Sequence, residues 1–252
     1  MLEEFERSKL LLGRSSLEKL KNSKVAVFGL GGVGSFTAEA LARTGIGTIV
    51  LVDNDIVCKS NINRQIVALQ STVGMYKADV MKERILDINP NAIVEVHKTF
   101  FLPGDTSINL NGCDYIVDAI DTISAKISLA EFCYKEGINL ISAMGCGNRL
   151  DPTKFKVVDI HKTYNCPICK VMRTELKKRK ISKLKVVFST EKTVNREEFT
   201  ESEINNKDDN SPKPINGTMR RQTPGSVGFV PSVAGLILAQ QVVMDLTEGL
   251  RP

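Results

Sequence analysis

Residues 24–45 read KVAVFGLGGVGSFTAEALARTG. Val25, Ala26, Val27 and Phe28 form an apolar run of strand length. Gly29, Gly31 and Gly34 follow in the spacing Gly-x-Gly-x-x-Gly, with a further glycine at Gly32. Phe36, Ala40 and Leu41 then recur at helical spacing. Strand, glycine turn and helix in this order suit an anion. The glycines permit a tight turn, and the helix N-terminus offers unpaired N–H groups. The loop alone fits NAD, FAD and ATP sites equally, and also a turn that holds nothing.

The same alternation continues on both sides. Residues 3–22 read as two short helices. TIVLV at 48–52 is a second apolar strand, and residues 75–88 have helical spacing that Asn89-Pro90 stops. Strands are expected at 92–97, 115–119 and 138–142, with a helix over 124–136. This alternation predicts an α/β fold: a Rossmann-like, doubly wound, mostly parallel sheet with helices on both faces. After Asp151-Pro152 the order changes. Residues 155–160 and 185–189 read as strands around a basic helix near 169–180, so antiparallel strands should extend one edge of the sheet. Residues 195–216 lie in a polar stretch that reads as a mobile loop, and 232–246 as an apolar closing helix, a core or dimer-interface element. One domain over 1–252 is expected: N-terminal helices at 1–23, a nucleotide-binding core at 24–150 and a C-terminal extension at 151–252.

The chain has 252 residues, 42% of them hydrophobic and 25% charged, which suits one large soluble domain. No run reaches the roughly 18 apolar residues of a membrane span, and the charged N-terminus is unlike a signal peptide. A cytoplasmic protein with no membrane partner is expected. Most of its cysteines then read as small buried hydrophobes and not as a disulfide framework. Net charge is +5, but between His161 and Arg196 eleven Lys/Arg stand against two Glu. One basic block on a slightly acidic body suits a polyanion, although a solvated helix face has the same composition. Lys170, Arg173, Lys177, Lys178, Arg179 and Lys180 are its nucleic-acid-binding candidates.

Asp53 lies 19 residues after Gly34 at the end of the second strand, where a ribose-binding acid is expected. The next segment separates NAD from ATP. Asp55, Asn61, Arg64 and Gln65 follow closely, and a guanidinium with amides can hold phosphoryl oxygens. Lys77 opens the following helix and adds a cation. Asp121, just past the 115–119 strand, is placed to hold a metal ion near the phosphates.

In this order, the glycine loop, Asp53-x-Asp55, Asn61-x-x-Arg64-Gln65, Lys77 and Asp121 resemble the adenylating domain of ubiquitin-activating-enzyme-like proteins. The resemblance runs from about residue 5 to 145. It implies that Gly29, Gly31, Gly32 and Gly34 line an ATP site in which Asp53 binds the ribose. Asn61, Arg64 and Lys77 would hold the triphosphate, and Asp121 would coordinate Mg2+. It also implies a homodimer in which Arg7 reaches the neighbouring subunit's site. Arg64, Lys77 and Asp121 would carry the catalysis.

Sulfur-carrier activators of this group usually carry two Cys-x-x-Cys pairs for zinc. Here only Cys166 and Cys169 are so spaced and no cysteine follows them, so a four-cysteine site built from two such pairs within the chain is excluded. LARTGIG at 41–47, VDAID at 117–121, Asp151-Pro152, VFSTE at 187–191 and PGSVGF at 224–229 instead resemble the tRNA threonylcarbamoyladenosine dehydratase branch. That resemblance implies ATP-dependent cyclisation, with net loss of water, of a modified adenosine in tRNA through adenylation of its threonyl carboxylate. The alternative is an adenylating activator of a ubiquitin-like sulfur carrier. Some members of the branch have a cysteine just before the last glycine-rich segment, where this chain has Arg221-Gln222-Thr223-Pro224. A sulfur-relay partner is not legible in the sequence.

Overall fold

The computed structural model describes residues 3–101, 108–194 and 224–252. The polar loop expected at 195–216 lies outside them. Helices α1 (Glu6–Leu12) and α2 (Arg14–Lys21) precede β1 (Lys24–Phe28), α3 (Gly34–Arg43) and β2 (Thr48–Val52). Then come α4 (Lys77–Ile88), β3 (Ile93–His97), β4 (Tyr115–Asp118), α5 (Ile123–Glu136) and β5 (Asn139–Ala143). The extension supplies β6 (Phe155–Asp159), α6 (Pro167–Lys178), β7 (Lys185–Ser189) and α7 (Phe229–Leu246).

The strands form one seven-stranded sheet in the order β3-β2-β1-β4-β5-β7-β6. β1 pairs in parallel with β2 on one side and β4 on the other, with Val27 opposite Leu51 and Val117. β7 continues the parallel pairing against β5, and the antiparallel pairing of the extension is β6 on β7. Successive side chains of β1 point to opposite faces, so both must be apolar. Val25 and Val27 pack in one core with residues of α2, α3, α4 and α7. Ala26 and Phe28 pack in the other with Ala125, Leu129 and Cys133 of α5. All four are fully buried, and each Val or Phe so placed contributes about 1.5–3 kcal/mol.

α7 starts at Phe229, three residues before the sequence suggests. Pro231 falls in its first turn, where a missing N–H costs nothing. At 18 residues with mean hydropathy 1.5, the helix has the length and apolarity of a spanning segment. Val230, Ala234, Leu238, Val242 and Leu246 are nevertheless buried in the core of this fold. α7 meets α3 at backbone distance. A Cβ on Gly235 would sit 2.3 Å from the Val33 carbonyl oxygen, and Thr37 Oγ1 donates to the Gly235 carbonyl at 3.0 Å. This contact fixes the N-terminus of α3, and with it the glycine loop.

Candidate active site

The chain runs from β1 outward to β2 and β3, then returns to β4 on the other side of β1. Doubly wound sheets bind ligands at such a reversal, beyond the carboxyl ends of the strands. A cavity of about 800 Å³ opens there. The segments following β1, β2, β3, β4 and β5 all line it, as do the start of α6 and Pro231 of α7.

Each glycine of the loop has a distinct task. Gly29 has φ +84°, and a Cβ there would meet the Ala119 carbonyl oxygen at 2.8 Å. A Cβ on Gly34 would lie 1.8 Å from the Gly29 carbonyl oxygen, so α3 can begin against β1 only without a side chain. At Gly31 the nearest atom to a Cβ is Gln65 Nε2 at 3.8 Å, and Gly31 lines the cavity. That space is left to a ligand. Gly32 lies close to Pro231 and the Arg64 carbonyl, each about 3.2 Å from a Cβ.

Gly29, Gly31, Gly32, Asp53, Asp55, Asn61, Arg64, Gln65, Lys77 and Asp121 line the one cavity. Asp53 is 8% exposed. Its Oδ2 accepts the Leu30 N–H at 2.5 Å and its Oδ1 the Asp55 N–H at 2.8 Å. Burial pushes its carboxyl above the ordinary value, against the pull of Lys77 and these two N–H donors. Lys77 opens α4, is 4% exposed and pairs with Asp55 at 2.7 Å. Asn61 Oδ1 accepts the Cys58 N–H at 3.1 Å. Arg64 Nη1 donates to the Ser60 carbonyl at 2.8 Å and to Asn63 Oδ1 at 3.0 Å. Gln65 is buried, and its Oε1 has no partner among the described residues. A buried amide oxygen without a donor costs about 1–3 kcal/mol, which a bound molecule with a hydroxyl or amine would recover. Asp121 is exposed at the rim and accepts from Thr122 Oγ1 at 3.3 Å. Arg7 is separate: it is exposed on α1 and is not among the lining residues.

Lys126, Arg149, Cys146 and Cys166 stand out among the lining residues outside the expected set. Lys126 of α5 is 2% exposed and lines the cavity. Its Nζ contacts both oxygens of the fully buried Asp118 at 3.1 Å and donates to the Ala143 carbonyl at 2.7 Å. A signal existed: Lys126 shares a helix face with the apolar Ala130 and Cys133. Arg149 is 3% exposed and lines the cavity, held by the Gly145 and Glu191 carbonyls. It sits in a turn with no motif to mark it. Cys146 and Cys166 also line the cavity. Burial pushes the Cys146 thiol up to about 12. Cys166 goes the other way: the Cys169 thiol and the N–H groups of Cys169 and Gly145 outweigh burial and hold it well below the ordinary thiol value.

The basic block is displayed on α6 and the turn after it. Lys170, Lys177, Lys178, Arg179 and Lys180 are exposed. Lys178 and Arg179 bond Glu175 at 2.6 and 2.7 Å. Arg173 differs from these in being half-buried. Its guanidinium bonds the Thr163 carbonyl and hydroxyl, because α6 needs its preceding turn anchored. No group of three or more His, Cys, Asp or Glu able to hold a metal ion exists among the described residues.

Fold and cavity together define a nucleotide-binding α/β protein with a cradle for a polyanion. The chain belongs to the ThiF family, whose model matches residues 5–249. It is 48% identical over 252 residues to the tRNA threonylcarbamoyladenosine dehydratase of Bacillus subtilis, covering 99% of this chain and 97% of that one. The crystal structure of the E. coli tRNA N6-threonylcarbamoyladenosine dehydratase TcdA in complex with ATP matches with a TM-score of 0.81. Identity there is 33%, over 98% of this chain and 94% of the other. The same enzyme in complex with AMP matches with a TM-score of 0.83, at the same identity and coverage.

Proposed function

We propose that this protein is an ATP-dependent enzyme that cyclises N6-threonylcarbamoyladenosine in tRNA by adenylating its threonyl carboxylate. One observation carries the reading: a single cavity at the sheet's reversal point gathers the Asp53 carboxylate, the Arg64 and Lys77 cations and the open Gly31. End-to-end similarity to enzymes of that name supplies the substrate.

A carboxylate resists nucleophiles because oxide is a poor leaving group. In the proposed reaction its oxygen attacks the α-phosphorus of ATP and pyrophosphate departs. Asp53 would accept the ribose hydroxyls. Arg64 and Lys77 would stabilise charge that develops on the phosphoryl oxygens. The carbamoyl group of the substrate then attacks the activated carbonyl, AMP leaves and a ring closes. That step needs proximity and no protein nucleophile. Asp121 is the carboxylate that would hold Mg2+. One acid suffices where the phosphates supply further oxygens, since Mg2+ keeps most of its water. The ion would neutralise phosphate charge.

On this reading residues 1–252 act as one adenylating domain, in the cytoplasm, where tRNA is modified. Exposed Leu10 and Leu11 on α1, 84% and 77% accessible, support a homodimer in which Arg7 serves the partner's site. The exposed cations of α6 would carry the tRNA backbone. Incubation with ATP, Mg2+ and modified tRNA should yield a nucleoside lighter by one water, with AMP and pyrophosphate. Arg64→Ala or Asp121→Ala should abolish this product while the melting temperature holds. If pyrophosphate exchange instead requires a protein ending in Gly-Gly and ignores tRNA, the chain activates a sulfur carrier and this proposal fails.

A further inference from the structure

Two cysteines in one turn of helix are left unused by the adenylation chemistry. Cys166 is the N-cap of α6, with Pro167 opening the helix. Cys169 is therefore its third residue, the place whose N–H an N-cap side chain faces. Cys166 forms no cap hydrogen bond, but it shares one buried cluster with Cys169 and one cavity wall with Gly145 and Arg149, and these neighbours hold its thiol below the ordinary value. A first thiol at a helix N-terminus within Cys-x-x-Cys, beside a guanidinium, is held as the reactive thiolate. Cys166 is 6% exposed and Cys169 fully buried. Cys166, Pro167 and Ile168 nevertheless line the cavity, so a small oxidant entering it reaches the first sulfur.

We propose that Cys166 and Cys169 are a redox-active dithiol on the cavity wall, oxidised to a disulfide by hydrogen peroxide and shielded when nucleotide fills the cavity. The Cys166 thiolate attacks one peroxide oxygen. The O–O bond breaks, leaving a sulfenic acid on Cys166 and releasing hydroxide. The Cys169 thiol then attacks the Cys166 sulfur. A disulfide forms, and the sulfenic oxygen leaves with the Cys169 proton as water. The two sulfurs lose two electrons, and one peroxide becomes hydroxide and water. Oxidation removes a negative charge from beside Arg149, so the wall facing the ligand changes with redox state.

The shielding rests on the nucleotide reading above; the oxidation does not. The test treats the full chain with hydrogen peroxide, with and without saturating ATP, then blocks free thiols with N-ethylmaleimide. Peptide mass spectrometry reads the tryptic fragment 163–170. The expected result is a fragment two hydrogens lighter and unalkylated, formed about tenfold faster than oxidation of the exposed Cys58 and slowed by ATP. Cys169→Ser should stop at the sulfenic acid, which dimedone traps on Cys166. If both thiols stay alkylatable while Cys58 oxidises, the dithiol is overturned. Calorimetry of ATP on the same preparation separates the two readings. ATP that binds without slowing oxidation overturns the shielding. ATP that fails to bind overturns the nucleotide reading and leaves the mapped disulfide to decide the dithiol.

Discussion

Gly31 and Gly34 are three residues apart and should answer very differently to the same substitution. A Cβ at Gly31 projects into open cavity. Gly31→Val should therefore fold normally and lose nucleotide. Overfilling a packed space costs about 1–3 kcal/mol, or about 5- to 150-fold in affinity. At Gly34 the same atom would overlap the Gly29 carbonyl oxygen, which belongs to the backbone and cannot turn aside. Gly34→Val should fail to fold. Thermal melting and ATP calorimetry on the pair give the answer; a Gly31→Val protein that binds ATP normally would move the phosphates elsewhere. The shared cavity of the glycine loop, Asp53, Arg64, Lys77 and Asp121 was legible because each falls in a segment that follows a strand, where a doubly wound sheet places its cavity. Lys126 and Arg149 were not. Each is defined by a contact across the fold, Lys126 with Asp118 on β4 and Arg149 with Glu191 past β7. Helical spacing marks Lys126 as facing the core, but no spacing along the chain announces its partner or that of Arg149.

Among the elements, α7 is tied to the sheet by one carboxylate. Asp245 Oδ2 accepts from the Tyr115 hydroxyl on β4 and from Lys185 Nζ on β7, both at 2.6 Å, while Oδ1 accepts from Gln241 at 2.7 Å. Burial pushes its carboxyl up, but the bonds from Lys185, Tyr115 and Gln241 outweigh this and hold it below the ordinary value. Asp245→Asn should lower stability by about 1–3 kcal/mol, toward the lower figure because Lys185 is partly solvated. The sign with pH follows. A carboxyl depressed in the folded state gives its full stabilisation above its unfolded value, about 3.9, and loses it as pH falls through the lower folded value. Urea melts should show a constant gap between the two proteins from about pH 7 to about 5 and a closing gap below about pH 4. A gap unchanged down to about pH 3 would show that the charge contributes nothing. The inner strands β1, β2 and β4 were legible as apolar runs because they are buried on both faces, whereas the edge strand β3 has no fully buried residue. Helix starts were less so: α6 begins at Pro167, before the expected residue 169, because proline at the first helical position starts a helix as readily as it stops one.

On the scale of the whole molecule, the basic helix and the cavity are joined. α6 has its first residues on the cavity wall and its exposed lysines begin one turn later, at Lys170. An RNA backbone lying along Lys170, Lys177 and Lys180 would run toward the cavity mouth, which suits a substrate base that must be delivered to ATP. The charge count alone allowed a merely solvated face. Amphipathicity is common to both readings, since Cys169, Met172 and Leu176 hold the inner side of α6 in the core and leave its cations outside. Not every cation is free for RNA, because Arg173 anchors Thr163 and Lys178 and Arg179 share Glu175. Lys170, Lys177 and Lys180, which pair with no acid among the described residues, make the sharper test. None of them lines the cavity, so Lys170→Ala, Lys177→Ala and Lys180→Ala together should leave ATP affinity unchanged. Binding of tRNA should weaken, and its log–log dependence on salt should flatten by about one unit for each phosphate contact removed, about three in all. A triple variant that keeps the salt slope of the parent would place the RNA on another face and return α6 to the role of a solvated helix.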